Sequence, residues 1–384
     1  QEKLKSGKRW RMRLASRAVT FTLALGIGGY GTYQLLYTNL LNRVGFEDEE
    51  FRGFYQDLIY YIDGYLVGTC IEVRNARIMP PEGYSTKIAE EILKNAMENS
   101  GTNEITEEEQ AQLPHVILIM NESFADLRVL GDLDLNKENM EFFNSLKDNT
   151  VRGYVNASVL GGGTANSEFE MFTGCTSAFF SVNYYPYQQG VKKPLNSLIS
   201  QMEKYGYHSY SMHPEVSTNW KRDRVYRFLG FDESLWLQNF EGAKVVHHGV
   251  SDAETFDRII KLYEDREEGE KLFIFDLTIQ NHGGYSGKKT PYEVRSEKYQ
   301  NAMLDEYLSL VKITDEAFED LVTYFEDQDE KVIICMYGDH QPWLANLIVE
   351  TDKTSRSVNM DKLLAKYKTP FVIWANYDIE EADD

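Results

Sequence analysis

The residues best suited to chemistry stand at the carboxyl ends of short apolar runs. His115-Val116-Ile117-Leu118-Ile119-Met120 leads into Asn121-Glu122-Ser123-Phe124. Lys331 to Tyr337 leads into Gly338-Asp339-His340-Gln341-Pro342, and Lys271 to Ile279 into Gln280-Asn281-His282-Gly283-Gly284. A carboxylate such as Glu122 suits a hard cation, and the adjacent Asp339 and His340 offer an oxygen and a nitrogen to one ion, a set that fits Mn or Zn. The His282 imidazole can face the same mouth. Taken singly, each reads equally as a polar turn residue. Three strand ends carrying such groups together favour one shared site, because ligands of open α/β sheets sit outside the carboxyl ends of the strands.

Two further clusters could serve that site. Gly161-Gly162-Gly163-Thr164-Ala165-Asn166-Ser167-Glu168 puts three glycines before a run compatible with a helix. Glycines let backbone amides approach a ligand, and a hydroxyl at a helix N-terminus is well placed to become a phosphoester. A neutral threonine is a poor nucleophile, so Thr164 needs a metal or base; otherwise it is a simple N-cap. The second cluster runs from Met212-His213 to Trp220-Lys221-Arg222-Asp223-Arg224. Imidazole, indole N–H and guanidinium together suit phosphate oxygens, although a surface helix start with salt bridges reads the same way.

The elements that must carry these groups follow from pattern. Five apolar runs, the three above with Tyr207 to Met212 and Pro370 to Ala375, are spaced by helical stretches at 194–205, 252–264 and 301–326. Nearly continuous apolar strands alternating with helices predict an α/β domain, a central mostly parallel sheet flanked by helices, over residues 113–384. Residues 43–112 read as a helical connector. Phe51 to Val67 is amphipathic, Pro80-Pro81-Glu82-Gly83-Tyr84 is a break, and Ser85 caps a helix starting at Thr86. His115, His208 and the loop pair His247-His248 read as structural, and Asp126 as a solvated residue or a partner of Glu122.

The net charge of −21 argues against a nucleic-acid binder, which needs a basic footprint. It does not exclude an anionic substrate met through a metal ion. The charge is uneven: residues 1–17 hold seven bases against Glu2, leaving the rest strongly acidic. No charged side chain occurs from Ala18 to Asn42. As a helix its apolar part would span about 30 Å, so residues 1–42 are expected to be a basic flank and transmembrane helix. The basic side places the N-terminus in the cytoplasm and the later residues outside. Gln1 in place of an initiator methionine reads as a chain cut from a longer one. Cys70, Cys175 and Cys335 form neither a disulfide framework nor a zinc pattern, and Cys335 reads as a core residue.

With these motifs assembled, residues 113–376 resemble the lipoteichoic acid synthase group of phosphoglycerol transferases in the sulfatase and alkaline phosphatase superfamily. The matching pieces, in the family's order, are Asn121-Glu122-Ser123-Phe124, Gly162-Gly163-Thr164-Ala165-Asn166-Ser167-Glu168-Phe169, Ser211-Met212-His213 with Trp220 and Arg222, Asn281-His282, and Gly338-Asp339-His340-Gln341-Pro342. The resemblance implies that Glu122, Thr164, Asp339 and His340 bind one divalent metal, usually Mn, with Mg or Zn as alternatives. It implies that Thr164 takes the glycerol phosphate, and that His213, Trp220, Arg222 and His282 hold the phosphate and assist proton transfer. The implied donor is phosphatidylglycerol, and the acceptor a glycerol-phosphate polymer or glycolipid. The implied place is the outer side of a membrane in a Gram-positive type envelope. The family's C-terminal subdomain is expected to be missing. A phosphoethanolamine transferase or phosphodiesterase of the same superfamily is the alternative, and a non-catalytic binder of anionic cell-wall polymer is a third reading. No C/S-x-P-x-R signature surrounds position 164, which counts against a sulfate-ester hydrolase.

Overall fold

The computed structural model describes residues 2–38, 40, 56–75, 83–99, 106–177, 180, 184–286, 292–351 and 360–383. They fall into two compact units, Gln1–Ala96 with Phe179–Tyr184, and Met97–Ala178 with Tyr185–Asp384. In the first unit, α1 (Glu2–Tyr37) covers the basic flank and most of the uncharged stretch. The second helix, α2 (Gln56–Asn75), is broken in backbone conformation at Gly64 (φ 76). The next, α3 (Thr86–Asn99), starts where Ser85 Oγ accepts a hydrogen bond from the Ile88 amide at 3.2 Å, the cap expected there. The Pro80-Pro81-Glu82 part of the expected break lies outside the described residues.

The expected transmembrane helix is corrected by α1. Among the described residues no helix is long and apolar enough to cross a membrane. Gly26, Gly28, Gly29 and Gly31, with Thr20, Thr22, Thr32 and Gln34, dilute the apolar content of the segment. Its larger side chains, including Phe21, Leu25 and Ile27, are exposed.

The second unit is built on an eight-stranded sheet. Its strands are β1 (His115–Asn121), β2 (Thr150–Asn156), β3 (Tyr207–Met212), β4 (Glu233–Leu235), β7 (Lys271–Leu277), β8 (Val332–Gly338), β9 (Lys368–Ala375) and β10 (Ala382–Asp383). A separate hairpin pairs β5 (Val245–Val246) with β6 (Gly249–Val250). The sheet order is β10-β2-β9-β8-β1-β7-β3-β4. All neighbours are parallel except β9, which runs antiparallel to β8 and β2. Thus the mostly parallel sheet is present, with β2, β4 and β10 added to the five anticipated strands.

Alternate residues of β7 serve opposite faces, as a strand's period of two requires. Leu272 and Ile274 pack beneath α7 (Asp252–Asp265) and α8 (Ala302–Glu326), with Phe256, Leu310 and Phe318. Phe273 and Phe275 pack with Phe172 of α4 (Thr164–Thr173), Ile199 of α5 (Leu198–Lys204) and Leu229 of α6 (Arg222–Leu229). The register aligns Met120 with Leu277 and with Tyr337, and Asn121 with Gly338. Glu122, Thr278 and Asp339 therefore leave the sheet side by side.

A candidate metal and phosphoryl-transfer centre

The turn after β1 is built to aim Glu122. Ser123 takes a left-handed backbone (φ 55). Its amide donates to Asp339 Oδ1 at 2.8 Å, and its carbonyl accepts from the Tyr307 hydroxyl at 2.8 Å. The Glu122 amide donates to Thr278 Oγ1 at 3.1 Å, and Glu122 Oε1 accepts from Ser123 Oγ at 3.0 Å. Beside this turn, β8 ends at a residue that must be glycine: a Cβ on Gly338 would stand 1.8 Å from the Phe124 carbonyl oxygen. A buried network fixes the same edge. Asn121 Nδ2 and Thr314 Oγ1 both donate to Asp252 Oδ2, at 2.8 and 2.6 Å, and Asn281 Nδ2 donates to Asn121 Oδ1 at 2.9 Å.

Ligand atoms of Glu122, Asp339 and His340, all buried, lie within 4.8 Å of one another. Asp339 Oδ1 accepts from the amides of Ser123 and His340. His340 Nδ1 is 3.1 Å from the Gln341 carbonyl, which can only accept, so this nitrogen carries the proton and Nε2 presents a lone pair. That Nε2 is 3.2 Å from Asp339 Oδ2 and 3.7 Å from Glu122 Oε1. Both Nε2 and Oδ2 are buried without a hydrogen-bond partner. Facing acceptors in a dry site repel one another unless a cation lies between them, so this donor set fits a divalent ion. Burial first, and the Glu122 charge second, push the Asp339 carboxyl up to about 6. A bound cation would reverse that shift.

Thr164 joins the cluster through Glu122. Gly161, Gly162 and Gly163 all have positive φ, and Gly163 (φ 90) turns the chain into α4 with Thr164 as its first residue. The Thr164 hydroxyl, almost fully buried, donates to Glu122 Oε2 at 3.1 Å. Ser167, one turn on, donates to the Asp339 carbonyl at 2.8 Å. Glu122, Thr164, Asp339 and His340 are thus brought together as a set.

The other expected residues border it in different ways. His213 is buried, and its Nδ1 contacts the Leu277 carbonyl at 2.9 Å, so its Nε2 also carries a lone pair. Burial foremost, then the Arg222 charge, hold its pKa well below the ordinary value; His282 contributes to the same lowering. His282 itself is exposed. Arg222 differs most from expectation. Its Nε and Nη2 donate to Glu168 Oε1 at 2.9 and 2.6 Å, so two of the five guanidinium N–H groups are committed to Glu168. Tyr226 donates to Glu168 Oε2 at 2.7 Å. Trp220 and Lys221 both take left-handed backbones (φ 55 and 61), strain of the kind that collects at functional sites. The Trp220 ring packs on Tyr185 with centroids 4.7 Å apart.

Sequence reasoning missed Glu168, although helical period puts it one turn beyond Thr164 on the same face. Asp126 is not a solvated helix residue: it caps the turn Leu127–Leu130 and pairs with Arg128 at 2.7 Å. All three cysteines are free, and burial pushes the Cys335 thiol up to about 12.

The sulfatase family model matches residues 114–384. Among curated proteins, a putative cyclic beta-1,2-glucan modification protein of Rhizobium meliloti is 28% identical over 83% of this chain and 49% of that protein. Lipoteichoic acid synthase of Staphylococcus aureus is 25% identical over 63% of this chain and 34% of that protein. The chain therefore spans about half or less of the length of these relatives. A solved phosphoglycerol transferase, GacH of Streptococcus pyogenes in complex with sn-glycerol-1-phosphate, is 23% identical, with a TM-score of 0.62 over 80% of this chain and 79% of that one. At that identity the likeness shows a shared fold. With a Rhizobium protein among the relatives, the expected Gram-positive type envelope is not supported.

Proposed function

The chain belongs to the sulfatase family, and from that premise we propose that it transfers glycerol phosphate from phosphatidylglycerol to an envelope acceptor, on the outer side of a membrane, through an ester on Thr164. The acceptor is a glycerol-phosphate polymer or a glycan. The name of the Rhizobium relative favours the glycan, and that of the Staphylococcus relative the polymer. One observation carries the reading: the Thr164 hydroxyl donates to Glu122 inside a buried cluster whose remaining acceptors lack partners.

Glu122, Asp339 and His340, with Thr164, would hold the ion, manganese by preference, with magnesium or zinc as alternatives. When bound, the ion supplies Lewis-acid polarisation of the phosphoryl group and acidifies the hydroxyl beside it. The protein's own groups do the rest. Thr164 Oγ1 passes its proton to Glu122 Oε2, the acceptor it already donates to, and forms a bond to phosphorus while the bond from phosphorus to the diacylglycerol oxygen breaks; that oxygen takes a proton from His282 at the mouth. The non-bridging oxygens face the amides at the start of α4 and the remaining N–H groups of Arg222. An acceptor hydroxyl then attacks phosphorus, its proton passes to His213 Nε2, and the bond to Thr164 breaks, the Thr164 oxygen regaining its proton from Glu122. Burial keeps His213 neutral and so able to accept that proton.

The test supplies phosphatidylglycerol and phosphatidylethanolamine in separate membranes, each labelled in the headgroup, to metal-loaded protein. Transfer of label from phosphatidylglycerol alone, lost in Thr164→Ala, supports the reading. Transfer from phosphatidylethanolamine would replace it with a phosphoethanolamine transferase, and release of free headgroup phosphate with a phosphodiesterase.

A further inference from the structure

A hairpin tip grips the loop that carries His282. Between β5 and β6 stand only His247 and His248, and His247 takes a left-handed backbone (φ 57). The His247 side chain is wholly buried, and its Nδ1 lies 3.3 Å from Oε1 of the equally buried Glu306 on α8. Its ring stacks on Tyr285 with centroids 5.5 Å apart. Glu306 Oε2 accepts from the Ser286 amide at 2.8 Å, and His248 Nε2 meets the Gly284 carbonyl at 3.2 Å. The Tyr285 hydroxyl closes the loop on itself by donating to the Asn281 carbonyl at 2.5 Å. Two glycines permit this approach. A Cβ on Gly249 would stand 2.3 Å from Ile279 Cγ2, and one on Gly284 (φ 109) would stand 3.1 Å from His248 Nε2.

None of these groups takes part in the transfer chemistry above. A buried histidine and glutamate are also a weak device for stability, because an apolar pair of similar volume serves a core as well or better. What the arrangement does accomplish is to tie residues 281–286 to the hairpin and to α8. We infer that His247, His248 and Glu306 are positioning residues that hold the His282 imidazole where the leaving oxygen departs. The inference rests on the reading of Thr164 as phosphoryl acceptor and His282 as proton donor.

A double-mutant cycle tests it. His247→Ala and His248→Asn are made alone and on a His282→Ala background, and headgroup transfer from phosphatidylglycerol is measured with the metal-loaded full chain. In the His282 background of the natural sequence, kcat falls about tenfold with KM unchanged, the scale of a small misplacement of a reacting group. On the His282→Ala background each further substitution changes kcat by less than about twofold. Equal losses in both backgrounds, or no loss in the first, overturn the inference. Metal content and melting temperature are read in parallel, and Glu306→Gln provides a third variant should His247→Ala fold poorly. If the unmodified chain transfers no headgroup, the proposed function fails, and the clamp is judged by hydrogen exchange. Amides of 281–286 exchanging about tenfold faster in His247→Ala keep the clamp; unchanged exchange removes it.

Discussion

Replacing Glu168 by glutamine removes one charge from a deeply buried ion pair beside the site. The side chain of Glu168 is 0% exposed and that of Arg222 3%, with Nη2 and Oε1 2.6 Å apart. Burial alone would lower the Arg222 pKa, yet the Glu168 charge more than offsets it and the net direction is up. With glutamine at 168, the guanidinium stays charged in a dry environment and loses its counter-ion. Breaking one partner of such a pair costs about 3–5 kcal/mol. A unit of this size loses about 1.7 °C per kcal/mol, so the melting temperature falls by roughly 5–9 °C. Calorimetry on metal-loaded protein at pH 7 reads this directly. The double substitution Glu168→Gln with Arg222→Met removes both charges and recovers most of the loss, whereas headgroup transfer stays low because the N–H groups facing the phosphate are gone. A loss below about 1 kcal/mol in Glu168→Gln, or a double variant as unstable as the two single losses added together, would refute the reasoning.

Further outcomes concern the metal, the turn at Gly338 and a buried acid. Metal analysis of replete protein finds about one divalent ion per chain. A free-ion level of 100 times Kd adds about 2.7 kcal/mol to stability, a gain absent in Asp339→Asn and His340→Gln. Gly338→Ala drives a methyl into the Phe124 carbonyl; it costs about 1–3 kcal/mol or more and weakens ion retention, both readable by urea titration with and without metal. Burial pushes the Asp276 carboxyl up to about 8. Since this lies above the unfolded value near 3.9, its contribution is full below about pH 4 and is lost as the pH rises through 8. The urea midpoint therefore falls between pH 6 and pH 9, and Asp276→Asn flattens that fall; an identical slope in both proteins would count against it.

What sequence made legible was what short local runs encode. The apolar strands containing Ile117, Phe273 and Ile334 are buried and continuous, and the residues proposed to hold a metal lie just past the ends of two of them, so residue type and position coincided. Gly163 and Thr164 were legible for the same reason, since positive φ followed by a helix start is a local matter. Strand β2 was not, because Thr150–Asn156 has no continuous apolar run and is largely exposed along its second half. Nor was the partnership of Arg222 with Glu168, 54 residues apart, or the grip of His247 on Glu306. Those depend on which helix covers which face of the sheet, and no spacing states that. The uncharged stretch after residue 17 misled in the other direction: absence of charge is not apolar content when glycine, threonine and glutamine fill the gaps.

The claim that Thr164 carries the transferred group is tested most directly by trapping it. Metal-loaded protein is mixed with phosphatidylglycerol without acceptor, quenched in acid, digested, and the peptide containing Thr164 is weighed. The account predicts one glycerolphosphoryl group on Thr164, discharged when acceptor is added before the quench and absent in Thr164→Ala. Turnover of phosphatidylglycerol with Thr164 never modified, or undiminished turnover by Thr164→Ala, would contradict it.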